Sequence, residues 1–121
     1  MERILSELAS HISRSIHKAD SDKRKILHIA SVLACNFANH LWGMSSQILR
    51  ENNIPNDLLA PLVKETLRKA MHTTDPHTVQ TGPAIRHDNK IIESHLSYLE
   101  KYPHIQSIYS IITESIQQCH Q

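Results

Sequence analysis

Apolar residues along this chain recur at intervals of three and four, and nowhere do they alternate convincingly with polar ones. Ile4, Leu5, Leu8 and Ile12 stand behind polar Glu2, Arg3, Ser6 and Glu7, which predicts a first amphipathic helix ending before Ser15, Ile16 and His17. Asp20 or Ser21 can cap the next segment, in which Ile26, Ala30, Leu33, Phe37, Leu41, Met44 and Ile48 step by three or four with no proline to interrupt them. That pattern predicts one long helix over roughly 22–51. Leu27, Ala34, Ala38 and Leu49 add a second stripe, so the long helix is expected to be central and covered on several sides.

Asn52, Asn53, Ile54 and Pro55 end it, and Asn56 reads as the N-cap of a third helix bearing Leu58, Leu59, Leu62, Val63, Leu67, Ala70 and Met71. Pro61 falls in an early turn, where it either removes one backbone hydrogen bond or marks the true first turn; the pattern leaves both open. Over 73–86 the residues are small, polar or helix-breaking and lack periodicity, which predicts a loop of about a dozen residues, a length often put to functional use. Asp88 can cap a fourth helix with Ile91, Ile92, Leu96 and Leu99, and Pro103 opens a fifth with Ile105, Ile108, Ile112 and Ile116. The expectation is a single all-α domain over 1–121, about five helices packed around one long central helix.

Composition narrows the function classes. The 121 residues suffice for one ordinary domain. Lys and Arg number 13 against 12 Asp and Glu, so no polybasic surface points to nucleic acid, and the 4% aromatic content supplies no stacking platform for single strands. No stretch approaches the roughly 18 apolar residues of a membrane span, and charges at Glu2, Arg3, Glu7, Arg14 and Lys18 argue against a secretory signal. A cytoplasmic protein with neither nucleic-acid nor membrane partners is expected. Gly43 and Gly82 are the only glycines, too few for a phosphate-cradling loop or a dinucleotide-binding turn. Cys35 and Cys119 form no CxxC pair, and each lies in an apolar helical pattern where a buried free thiol is expected. No two of the ten histidines are spaced four apart, so a helical zinc pair is not expected, and no GxSxG elbow supports covalent hydrolysis.

Two groups of residues remain as candidates for chemistry. At 100° per residue, His28, Val32, Cys35, Asn36, Asn39, Gly43 and Ser46 fall within about 100° of arc on the long helix. Imidazole and amides can orient a ligand without the desolvation cost of a full charge, or they can satisfy one another. The segment QTGPAIRHD, 80–88, gathers hydroxyl, guanidinium and carboxylate around Gly82 and Pro83. There Arg86 could hold a carboxylate or phosphate with two parallel bonds, or pair with a nearby acid, while Asp88 caps a helix.

Three segments in this order, HIASVLACNFANHL, LLAPLVKETLRKAM and QTGPAIRHDNKIIESHLSYL, carry a family resemblance over about 4–116. The chain resembles the helical C-terminal domain of unknown function that follows a Rossmann-like, NADP-binding domain in bacterial oxidoreductases. That domain is similar in turn to the C-terminal domains of 6-phosphogluconate dehydrogenase, ketopantoate reductase and pyrroline-5-carboxylate reductase, which dimerise and close over the nicotinamide. The resemblance implies a homodimer, a small-molecule substrate, and NADP held by a Rossmann domain that these 121 residues do not contain, so that no cofactor binds this chain alone. It also implies catalytic positions at His28 and Asn36 and substrate-binding positions at Thr81, Gly82, Pro83, Arg86, Asp88 and His95. Two departures accompany it. Val32 stands four residues before Asn36, where the related hydroxyacid dehydrogenases carry a lysine, and His87 occupies a position that is glycine in many members. A helical module serving assembly alone is the alternative function.

Overall fold

Helix starts in this chain follow from local capping chemistry. The computed structural model describes residues 20–121, and every regular element among them is helical. The first amphipathic helix, expected around Ile4 to Ile12, lies outside the described residues. The chain divides into two units, Met1–Asn52 and Asn53–Gln121.

In the first unit, α1 (Ser21–Ser31) starts behind Asp20, whose extended backbone lets its carboxylate accept from the Lys23 amide at 2.9 Å. Helical structure then runs unbroken to Glu51, as the periodicity predicts, but not as one α-helix. Val32–Phe37 is a π-helical segment, and α2 (Ala38–Glu51) follows it. The apolar spacing supplies a reason. Ile29, Leu33, Phe37 and Leu41 are each four apart, and on a straight α-helix every such step overshoots a full turn by about 40°. Bonding from i to i+5 takes an extra residue into the turn and removes about 100° of accumulated drift, which returns the four side chains to one line. Just before the wide turn, the Ser31 hydroxyl donates to the Leu27 carbonyl at 2.9 Å, a back-bond that loosens the regular ladder at that point. Asn53, with φ 56, ends the helix in the left-handed region that asparagine tolerates, and the Asn52 amide donates to the Ile48 carbonyl at 2.7 Å.

The expected cover over this helix is not found among the described residues. Met44 is its one buried side chain there, whereas Ile26, Ile29, Leu33, Phe37, Leu41 and Trp42 are exposed. The pattern identified an apolar surface correctly; its partner is not supplied by the packing of these residues. Cys35 shares that exposure, and so does Cys119 in the second unit, so both thiols depart from the expected burial.

The second unit begins with a 3-10 turn, Asn56–Leu59, that takes the place of a simple asparagine cap. Pro61 then lies in the first turn of α3 (Ala60–Met71), where its missing amide hydrogen costs nothing. The expected loop is partly ordered: Pro76–Val79 forms a second 3-10 turn, begun by the Asp75 carboxylate accepting from the His77 amide at 3.0 Å. Asp88 caps α4 (Asn89–Tyr98), a 3-10 turn follows at Leu99–Lys101, and Pro103 opens α5 (Pro103–Cys119). Ile92, Leu99 and Ile105 are buried from α4, the turn and α5, with Ala84 added from the preceding segment. The Gln106 amide donates to the Leu96 carbonyl at 2.8 Å and ties α5 to the end of α4.

Leu99→Ala should lower unfolding free energy by about 2–4 kcal/mol, because a nearly sealed site cannot collapse around the lost methyls. Ser94→Ala, on the exposed side of α4, should change it by about 0.5 kcal/mol or less. Denaturant titration of the two variants checks the contrast.

Candidate functional site

The segment carrying Thr81, Gly82, Pro83, Arg86 and Asp88 is held by its backbone and by one buried methyl. Gly82 has φ 106, a conformation that side-chain-bearing residues rarely adopt. The Asp88 amide donates to the Pro83 carbonyl at 3.0 Å and the His87 amide to the Ala84 carbonyl at 3.1 Å, so 83–88 closes on itself. Ala84 is buried, and its carbonyl also accepts from the Gln117 side chain of α5 at 3.4 Å. Gly82 and Pro83 thus shape the turn, half-buried, while Thr81 is exposed at its start.

Arg86 projects from this closed turn into solvent. Among the described residues its guanidinium has no hydrogen-bond or ion-pair partner, so the ordinary reading in which it pairs with a nearby acid is not realised there. Asp88 does what a helix start requires: its carboxylate accepts from the Ile91 amide at 3.3 Å. His87 adopts φ 52, so an imidazole-bearing residue sits in a left-handed conformation that glycine would take without strain.

His95 lies seven residues beyond Asp88, on the same face of α4 and about 10 Å further along it. Its Nδ1 is 2.7 Å from the Tyr109 hydroxyl of α5, and the two rings meet edge-on with centroids 5.7 Å apart. Burial raises the Tyr109 phenol above its ordinary pKa. Sequence reasoning missed Tyr109. A hydroxyl within the otherwise apolar run Ile105, Ile108, Ile112 was the only signal, and nothing in the sequence sets the register between α4 and α5.

His28 and Asn36 belong to the other unit. Both are exposed, and neither bonds to the other or to Asn39. The seven-residue polar face expected from α-helical periodicity does not survive the π segment. An extra residue in the wide turn, worth about 100°, brings Asn36 close to the line of His28 and Val32, turns Asn39 and Ser46 away, and leaves Gly43 on the His28 side. His28 and Asn36 remain on the order of 10 Å apart along the axis, so they cannot both hold one ligand atom. Among the described residues no three His, Cys, Asp or Glu side chains are grouped to hold a metal ion, and no helix is long and apolar enough to cross a membrane.

His87→Gly should raise stability by about 0.5–1 kcal/mol, because relief of the left-handed strain exceeds the added chain entropy. Thermal unfolding checks this, and a loss of stability would show that the imidazole contributes more than the strain removes.

Comparison with known proteins places these features in context. The model of a family described as a domain of unknown function (DUF2520) matches residues 1–116. Among solved structures, the chain is similar to a crystal structure of a "putative NADP oxidoreductase" from Bacteroides fragilis, with 44% sequence identity and a TM-score of 0.78. The match covers 83% of this chain and 38% of that one, so the chain spans well under half the length of the protein it matches. No curated protein matches it.

Proposed function

The chain belongs to the DUF2520 family, and from that premise we propose that it is the substrate-side and dimerisation domain of an NADP-dependent oxidoreductase. The solved relative is described as an NADP oxidoreductase and is much longer than the matched region, which leaves room there for a nucleotide-binding domain of the Rossmann kind. The residues present here do not suit the cofactor. The one glycine turn that leads into a helix delivers the Asp88 carboxylate to the helix start, where a pyrophosphate would meet like charge. NADP therefore enters through the parent protein's Rossmann domain, and the chain alone is catalytically incomplete. A reducing cytoplasm suits its two exposed free thiols.

Arg86 is the observation that carries this reading. A guanidinium without a partner among the described residues, on a turn fixed at both ends, is preorganised to hold the carboxylate or phosphate of a small acidic substrate. Thr81, Gly82 and Pro83 set the position of that turn, and Asp88 and His95 extend the same surface along α4. By the family resemblance, His28 on the long helix is the proton donor to the oxygen created or consumed by hydride transfer, a task Val32 cannot perform. By the same resemblance Asn36 supplies an uncharged hydrogen bond.

The line of Ile29, Leu33, Phe37 and Leu41 supports the dimer. Each such side chain contributes about 1.5–3 kcal/mol when fully buried, and a straight apolar line can pack on its own two-fold copy. Light scattering of the isolated chain at micromolar concentration should report a homodimer, and Leu33→Asp should make it monomeric with its helical circular dichroism retained. A monodisperse monomer for the parent chain would remove the dimer from this reading.

Joined to the parent Rossmann domain, the protein should oxidise NADPH with small acidic carbonyl compounds. Arg86→Ala should raise KM by about 10–100-fold through the loss of a charge-assisted contact, and His28→Ala should lower kcat by about 100-fold or more. Asn36→Ala should weaken both more modestly. If all three folded variants turn over like the parent, the polar groups serve packing. The chain is then a helical assembly module, an alternative that the extent of exposed apolar surface also suits.

A further inference from the structure

The contact between His95 and Tyr109 joins two helices across fourteen residues of sequence and involves no other side chain. Its direction can be worked out from the groups themselves. Burial keeps the Tyr109 phenol protonated well into alkaline solution, so its O–H is available as a donor. The phenol has no other hydrogen-bond partner among the described residues, and it is shielded from solvent more than His95 is. If a neutral imidazole donated from Nδ1, the phenol hydrogen would be left without a protein acceptor. If the phenol donates to Nδ1, both groups are satisfied by one bond of 2.7 Å. The edge-on ring contact, with planes 86° apart, holds the imidazole in that orientation.

We propose that Tyr109 is a positioning residue that fixes the neutral His95 imidazole with its proton on Nε2, so that α4 presents an N–H donor to an oxygen of the bound ligand. Nε2 of the exposed His95 has no partner among the described residues, and His95 lies on the face of α4 that begins at Asp88, about 10 Å along the helix from it. A neutral donor there complements the guanidinium: Arg86 takes the charge of a carboxylate or phosphate, and His95 takes a second oxygen without adding charge. The ligand class follows the proposed function and rests on it. The tautomer does not.

The experiment is long-range proton–nitrogen NMR of the histidine rings in the 15N-labelled 121-residue chain, recorded in mildly alkaline solution and assigned with His95→Gln. His95 is expected to carry its proton on Nε2, and Tyr109→Phe, which keeps the ring and removes only the hydroxyl, should reduce that preference by about fivefold, the equivalent of one lost hydrogen bond. Acetate, used as the probe, should shift the Nε2–H resonance in the parent chain and shift it less in Tyr109→Phe. Circular dichroism of Tyr109→Phe checks that the helices remain. A parent His95 protonated on Nδ1, an unchanged tautomer ratio in Tyr109→Phe, or no response to acetate overturns the proposal. Because these measurements need neither NADPH nor a Rossmann domain, failure of the oxidoreductase reading would appear separately, as absent turnover in the joined protein.

Discussion

A run of apolar residues spaced by four cannot stay on one face of an α-helix, and the first unit is shaped by how that conflict is resolved. At Val32–Phe37 the backbone takes one extra residue into the turn and so keeps Ile29, Leu33, Phe37 and Leu41 aligned. The same adjustment acts on the opposite side of the helix. It draws Asn36 toward His28 and separates both from Asn39 and Ser46, so the geometry of the apolar line and that of the polar pair are set by one backbone event. A substitution that restored regular α-helix there would disturb both together.

The second unit meets a different constraint, because the 83–88 turn is held rigid without being sealed inside. Three contacts achieve this. Ala84 inserts its methyl among the buried residues, the 83–88 backbone closes on itself, and Gln117 reaches from α5 to the Ala84 carbonyl. Arg86 is left outside with its donors unspent, and Asp88 is consumed in starting α4. Strain at His87 accompanies this rigidity, since a residue with a side chain occupies a left-handed position two residues before the helix start. His95 and Tyr109 extend the same arrangement along α4 and α5, where one polar bond orients a ring that would otherwise rotate freely in solvent.

Exposed apolar surface links structure to function. Leu33 and Phe37 in the first unit and Leu58, Leu62 and Met71 in the second are more than half exposed, whereas among the described residues the buried set is confined to Met44, Ala84, Ile92, Leu99 and Ile105. Among the described residues this distribution buries enough to position the turns and helices and leaves much apolar area exposed.

Much of this was legible in the residues themselves because it depends on neighbours in sequence. Asp88 reads as a cap and Asp20 as one of two candidates with Ser21, the run from Asn52 to Pro55 as the end of the long helix, and Pro103 as the start of the last one, since a cap or a breaker acts within a few residues of itself. The all-α class followed from periodicity for the same reason. Tertiary structure and backbone geometry decided the rest. Periodicity assumed 100° per residue and therefore assembled a polar face that the π segment dismantles. Apolarity predicted burial for Cys35 and for the flanks of the long helix, but burial needs an opposing surface, and no property of the stripe itself reports whether the described residues provide one. Tyr109 stayed hidden because its meeting with His95 depends on the register between two helices, which hydrophobic spacing fixes only to within a turn.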